Sequence, residues 1–120
     1  MKANDIANSP NSAILGRLQT MAELALASGI KVVMGAVPPC NNFPKNPGFR
    51  PEDRIIELND MIRAYALSMG FPYADYYAVL VDDAKGLKAE YQKDEIHPNA
   101  AGYTAMEGVI QPIINELLSF

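Results

Sequence analysis

The sequence predicts an incomplete α/β domain, in which helices cover both faces of a parallel sheet in three layers. Amphipathic segments alternate with short apolar segments in the order helix, strand, helix, strand, helix. Strands that are joined by helices run parallel, and parallel sheets are normally covered on both faces. Two strands, or three if residues 2–6 end a further one, make a small sheet for this architecture. We therefore expect part of the fold to lie outside this chain.

The first helix and the first strand come from residues 13–34. The helix is expected over residues 13–28, with Ser9 and Ser12 as caps and Gly29 as its terminating residue. Its apolar stripe consists of Ile14, Leu18, Met21 and Ala25. Residues 30–34 are apolar and rich in β-branched side chains, which favours a short buried strand.

A proline-rich loop over residues 38–51 separates this strand from the second helix, and loops of such length are usually functional. The helix is expected to start at Pro51 and to end at Gly70. Its stripe consists of Ile55, Leu58, Ile62, Tyr65 and Met69. Residues 71–75 favour the second strand.

The remaining chain predicts a connection rich in Asp and Lys, a short helix within residues 86–92, a loop over residues 94–98, and a last helix. Asn99 is the expected cap of that helix, and Pro112 should kink it because proline lacks the backbone N–H. The stripe of the last helix consists of Tyr103, Met106, Ile110, Ile113 and Leu117.

Composition excludes several classes of function. The net charge of −4 and the scattered basic residues argue against a nucleic-acid or anionic-membrane partner. Cys40 is the single cysteine, so an internal disulfide cannot form, and with one histidine the chain is a poor candidate for a metal site. We see no signal peptide and no apolar run long enough to span a bilayer. The compartment stays undecided.

The segment from Asp94 to Asn99 contains the only histidine and carries the main chemical signal. An aspartate three residues before His97 can bring its carboxylate to the imidazole Nδ1, which would leave Nε2 free as a general base. A surface loop whose polar residues merely cap the next helix is the alternative. The position of this loop, after the last strand and before the last helix, favours catalysis, because such loops carry ligands and catalytic groups in α/β sheets.

Asn4 and Asp5 form the second element, at a point where a strand would end and the first helix would begin. A side-chain amide there could donate to an oxyanion. When Asn4 is taken alone, a pair of turn residues at a frayed terminus is the better interpretation.

Together these motifs resemble the SGNH (GDSL-like) hydrolases. Asn4-Asp5 matches the end of that family's Gly-x-Asn-Asp block, although Lys2 replaces the glycine, and residues 94–98 match its Asp-x-x-His-Pro block in full. Pro38-Pro39, the helix around Leu58-Asn59 and residues 75–77 are also similar to bacterial members. The resemblance implies a flavodoxin-like fold, with His97 as general base, Asp94 as its orienting carboxylate and Asn4 as oxyanion donor. It implies no cofactor.

The family's Gly-Asp-Ser block and its glycine oxyanion donor have no counterpart here. The resemblance therefore implies one partial domain over residues 1–120, the C-terminal half of an ester hydrolase acting on acyl esters or acetylated carbohydrates. A complementing N-terminal segment or a second copy would be its partner.

Two alternatives stay open. Cys40, in the proline-rich loop, could act as a substitute nucleophile, although a lone loop cysteine is more often incidental. The chain could also be a non-catalytic α/β remnant that serves as an assembly or binding module.

Overall fold

A short parallel sheet and the helices around it make up the computed structural model, which describes residues 9–43 and 48–119. In chain order these residues form α1 (Asn11–Ala27), β1 (Met34–Gly35), α2 (Glu52–Met69), β2 (Tyr73–Ala74), α3 (Tyr76–Leu80), a 3₁₀ turn (Ala89–Tyr91) and α4 (Ala100–Leu118). Helix α2 contacts both strands, and α4 contacts β2 and α3. The order of long helices and strands is the predicted one, with α3 as an addition. Residues 2–6, where a further strand end was considered, lie outside the described residues.

The two strands run parallel, as predicted, but they are shorter than predicted. Met34 lies opposite Tyr73 and Gly35 opposite Ala74. The Met34 N–H donates to the Pro72 carbonyl (3.0 Å), whereas Pro72 has no N–H to return and cannot extend the ladder. At the other end, Asp75 accepts a hydrogen bond from the Ala78 N–H and so caps α3 instead of continuing β2.

Glycine ends both long helices before the strands, as predicted. Gly29 (φ 77°) and Gly70 (φ 72°) adopt left-handed backbone conformations that glycine tolerates without strain. The residue after each glycine then donates its N–H back to the helix: Ile30 to Ala25 and Phe71 to Ala66, each at 2.9 Å. Because the Ile30 N–H bonds back to α1 and its side chain is 57% exposed, the first strand does not begin at Ile30.

The start of α1 differs from the prediction that Ser9 and Ser12 are caps. Pro10 occupies the capping position and offers no side-chain acceptor, while Ser12 already lies in the first turn. The Arg54 guanidinium donates instead to the Ser9 carbonyl (2.6 Å) and to Asn11 Oδ1 (3.1 Å). The start of α1 is therefore fixed by α2.

The core lies between α1, α2 and the segment that follows β1. Its buried cluster consists of Ile14, Ala22, Met34, Val37, Cys40, Phe43, Ile55, Leu58, Ile62 and Ala66. The predicted stripes were wrong at Met21 and Met69, which are 65% and 37% exposed. The small side chains of Ala22 and Ala66 are buried on these helices instead, at 5% and 1% exposure.

A buried amide joins α2 to the end of β1. Asn59 is 7% exposed, its Oδ1 accepts from the Val37 N–H (2.7 Å), and its Nδ2 donates to the Val37 carbonyl (3.0 Å). The side chain thus takes both hydrogen bonds that a neighbouring strand would otherwise make with Val37. Buried backbone polar groups need such partners, so Asn59 allows the chain to leave the sheet inside the core.

Helix α4 begins as predicted, with Asn99 Oδ1 accepting from the Gly102 N–H at 2.9 Å. Gly102 is buried against the preceding loop, since a Cβ at this position would lie 2.8 Å from the Tyr91 carbonyl oxygen. The helix continues through Pro112. Its predicted stripe is only half-buried, and Tyr103 is 51% exposed, so α4 covers its neighbours loosely. No helix among the described residues has the length and apolar character that a membrane span requires.

Candidate active site

The loop that carries Asp94 and His97 is closed at its base. Gln92 and Pro98 form an antiparallel bridge, and the Lys93 N–H donates to the His97 carbonyl at 2.9 Å. Asn99 Nδ2 donates to the Glu90 carbonyl at 3.0 Å, so the residue that caps α4 also holds the base of the loop. The loop is therefore fixed relative to the start of α4.

Asp94 and His97 meet as the sequence predicts. Nδ1 of His97 lies 2.9 Å from Oδ2 and 3.1 Å from Oδ1 of Asp94. The same Oδ1 accepts from the N–H groups of His97 (2.8 Å) and Ile96 (3.1 Å). The carboxylate thus orients the imidazole and the backbone of the loop together.

These hydrogen bonds hold the pKa of Asp94 at about 2. The main cause is the hydrogen bond from the His97 N–H, followed by that from the His97 ring and then the Ile96 N–H. An ionised carboxylate can only accept, so Nδ1 must carry the proton that lies between the two side chains. In the neutral ring Nε2 then has a free lone pair, as a general base requires. The His97 side chain is 37% exposed, which leaves room for a reacting group.

We expect the order of this loop to depend on pH through Asp94. Because the pKa of Asp94 is lower in the folded chain than in the unfolded one, its carboxylate stabilises the loop at pH values above about 4. This stabilisation is lost as the pH falls through about 2. NMR amide shifts of Ile96 and His97 should therefore titrate with a midpoint near pH 2, and Asp94→Asn should remove the transition. A midpoint near pH 4 would contradict the described contacts.

The segment directly after β1 borders this loop. Asn42 Nδ2 donates to Glu95 Oε2 at 2.9 Å, and Ile96 packs against the core cluster that contains Cys40. The loop that follows the first strand and the loop that carries His97 are therefore neighbours. Sequence reasoning singled out the proline-rich loop as functional, but it missed Asn42 and Glu95.

Cys40 is poorly placed to act as a nucleophile. Its side chain is fully buried, and the thiol donates to the Asn42 carbonyl at 3.2 Å. Burial raises the pKa of this thiol, and the nearby carboxylates of Glu52, Glu95 and Asp94 raise it further. Because the thiolate is the reactive form, these properties oppose the alternative in which Cys40 replaces serine.

No serine of this chain contacts the dyad. The five serines, all within the described residues, are Ser9, Ser12, Ser28, Ser68 and Ser119. None of their hydroxyls is hydrogen-bonded to His97, and those of Ser68 and Ser119 donate to carbonyls of their own helices. Asn4 and Asp5 lie outside the described residues. Within residues 9–43 and 48–119, no three His, Cys, Asp or Glu side chains gather in a group that could hold a metal ion.

An apolar groove of about 450 Å³ runs along β1 between α1 and α4. Leu18 and Met21 of α1 line one wall and Met106 of α4 contributes to the other. Tyr76, one of three tyrosines near the end of the second strand, packs its ring against Gly35, where a Cβ would lie 2.9 Å from the ring. In the part of the chain that the structure describes, β1 pairs only with β2.

Comparison with known proteins decides the family. The sequence model of the GDSL-like Lipase/Acylhydrolase family matches residues 3–105. The chain belongs to this family. The match includes the loop of Asp94 and His97 and also Asn4. Among curated proteins, no sequence matches.

Solved structures of this family share the fold. A Bacteroides fragilis protein assigned as an acylhydrolase is 36% identical, with a TM-score of 0.91 over 97% of this chain and 59% of its own. A GDSL-like lipase from Bacteroides thetaiotaomicron is 35% identical, with a TM-score of 0.89 over 96% of this chain and 59% of its own. A G-D-S-L family member from Veillonella parvula, at 22% identity, matches the fold with a TM-score of 0.74 over 93% of this chain and 58% of its own. The chain therefore spans about three fifths of the length of each of these three structures.

Proposed function

We propose that this chain is the C-terminal part of a GDSL-like serine ester hydrolase, as one partial domain over residues 1–120. His97 is its general base, Asp94 orients that base, and Asn4 donates to the oxyanion. The contact between the Asp94 carboxylate and Nδ1 of His97 carries the proposal, because it sets the tautomer that general-base catalysis needs. The family match supports the reaction class.

The nucleophile in this proposal is a serine on a complementing segment. Nε2 of His97 takes the serine proton as the oxygen attacks the acyl carbon, and the developing oxyanion accepts a hydrogen bond from the Asn4 amide. Collapse expels the alcohol, to which His97 returns the proton. Water then hydrolyses the acyl-enzyme by the same route. Acyl esters, including acetylated carbohydrates, are the proposed substrate class.

The groove along β1 is the proposed binding site of the complementing segment. About two fifths of the Bacteroides fragilis structure has no counterpart in this chain. The groove is apolar, and β1 has one hydrogen-bonded neighbour among the described strands. A strand from the complementing segment would cover these apolar side chains and place its serine at the same end of the sheet as His97.

Without that segment, we expect the chain to self-associate. Met21 and Leu24 of α1 are each 65% exposed, and among the described strands β1 has one hydrogen-bonded neighbour. Exposed apolar surface and unpaired strand edges favour pairing of copies. Sedimentation velocity should show a dimer or higher oligomer. Met21→Glu, at the wall of the groove, should shift the population toward monomer, whereas Arg17→Glu, outside the groove wall, should not. A monomer at high concentration would show that the helices cover the sheet sufficiently.

The chain by itself should have almost no esterase activity. Loss of the nucleophile of a serine hydrolase lowers turnover about a million-fold. Hydrolysis of p-nitrophenyl acetate should stay near the buffer rate, and a fluorophosphonate probe should leave the mass of the protein unchanged. Robust turnover that disappears in His97→Ala, or a serine adduct, would overturn the proposal of a missing nucleophile and point to a serine within this chain.

A further inference from the structure

We propose that the hydrogen bond between Asn42 and Glu95 holds the His97 loop in its working position, which makes both side chains positioning residues. This inference rests on the proposed function, in that the loop it positions carries the proposed base. The bond joins two segments that are 53 residues apart and follow different elements, β1 and the 3₁₀ turn.

Glu95 has a backbone conformation that its residue type disfavours. Its φ of 70° lies in the left-handed region, which costs a residue with a Cβ more than it costs glycine. Glu95 lies between the two catalytic candidates, and its conformation lets the chain turn so that the Ile96 and His97 N–H groups both reach Oδ1 of Asp94. A turn that contains such a residue persists only when the surroundings stabilise it.

Asn42 is a well-anchored donor for this purpose. Its carbonyl accepts from the buried thiol of Cys40, so its backbone is tied to the core. The preceding Asn41 donates to the Ala84 carbonyl at 3.0 Å and packs against Gly86, where a Cβ would lie 2.8 Å from its side chain. The segment from Cys40 to Asn42 therefore contacts the core, the loop around Ala84 and the His97 loop.

Ile96 provides the second attachment of the loop, through packing against the core. The Gln92–Pro98 bridge holds the base of the loop, and the directional hydrogen bond that Glu95 Oε2 accepts from Asn42 adds a restraint at the turn itself. The Asn42 bond therefore acts on the direction in which the His97 ring points, more than on the stability of the whole fold.

The test uses NMR on the protein labelled with ¹⁵N-histidine, because its single histidine gives one unambiguous set of ring signals. The ring ¹⁵N shifts at pH 8 report the Nδ1–H tautomer, and the exchange rate of the His97 amide reports opening of the turn. Asn42→Ala removes the donor. Glu95→Gln keeps an acceptor oxygen and is the matched control. Asn42→Asp places two carboxylates together, and combining it with Glu95→Gln restores the bond with donor and acceptor exchanged.

We expect Glu95→Gln to match the wild type. Asn42→Ala and Asn42→Asp should raise the His97 amide exchange rate about two- to tenfold, the range that one net hydrogen bond gives. Both should also move the ring shifts toward those of free histidine. The double variant Asn42→Asp/Glu95→Gln should recover both signals. Unchanged signals in Asn42→Ala, or failure of the double variant to recover them, would overturn the proposal. This measurement needs no turnover. An inert complemented enzyme would therefore contradict the catalytic assignment of His97 but not the positioning role of Asn42 and Glu95.

Discussion

His97→Ala is expected to lower the turnover of the complemented hydrolase about a million-fold. Removal of the histidine alone has an effect of this size in a serine hydrolase whose triad residues were replaced one at a time. Without the imidazole no group takes the serine proton. Asp94→Ala should cost less, about 10⁴-fold, because the base stays but loses the hydrogen bond that fixes its tautomer. The measurement is kcat for a p-nitrophenyl ester after addition of a segment with a Gly-Asp-Ser block.

Lys93→Ala is the matched control for this pair, since Lys93 lies on the same loop and is exposed. It should leave kcat close to that of the wild-type complex. If His97→Ala and Lys93→Ala both retained most of the wild-type activity, His97 would not be the base.

Asn59→Leu is expected to have the largest effect on folding, a loss of about 2–4 kcal/mol in the free energy of unfolding. Leucine fills a similar volume but leaves the Val37 N–H and carbonyl without their partners inside the core. Asn59→Asp should also destabilise, because a carboxylate can accept from the Val37 N–H but cannot donate to its carbonyl. Urea unfolding followed by circular dichroism measures both.

The control for this prediction is Asn115→Leu in α4, the same chemical change at an exposed position. The Asn115 side chain accepts from Gln111 of its own helix at an exposed position, so its replacement should change stability by less than about 0.5 kcal/mol. Equal stability of Asn59→Leu and Asn115→Leu would show that the buried amide is not needed to satisfy Val37.

The dyad could be predicted from sequence because it is local. Asp94 and His97 are three residues apart on one loop, so their contact depends on the turn between them and little on the rest of the fold. The helix ends at Gly29 and Gly70 were predictable for the same reason. The lengths of the strands were not, since they depend on partners across the sheet and on the missing N–H of Pro72.

The role of Asn59 was harder to see, because a polar residue within a helix reads as solvent-facing. Its position gives the available signal: it lies four residues after Ile55 and three before Ile62, on the buried face of α2. The bond between Asn42 and Glu95 carries no such signal. Neither the contact across 53 residues nor the left-handed backbone of a glutamate follows from local pattern.

The most direct test of the central claim is complementation. A segment that bears a Gly-Asp-Ser block is fused ahead of residue 1, for instance the portion of the Bacteroides thetaiotaomicron lipase that this chain does not match. We expect the folded chimera to hydrolyse p-nitrophenyl acetate, to take one fluorophosphonate adduct on the added serine, and to lose turnover when that serine or His97 is replaced by alanine. A folded chimera that stays inert, or whose activity survives His97→Ala, would contradict the account and favour the non-catalytic module.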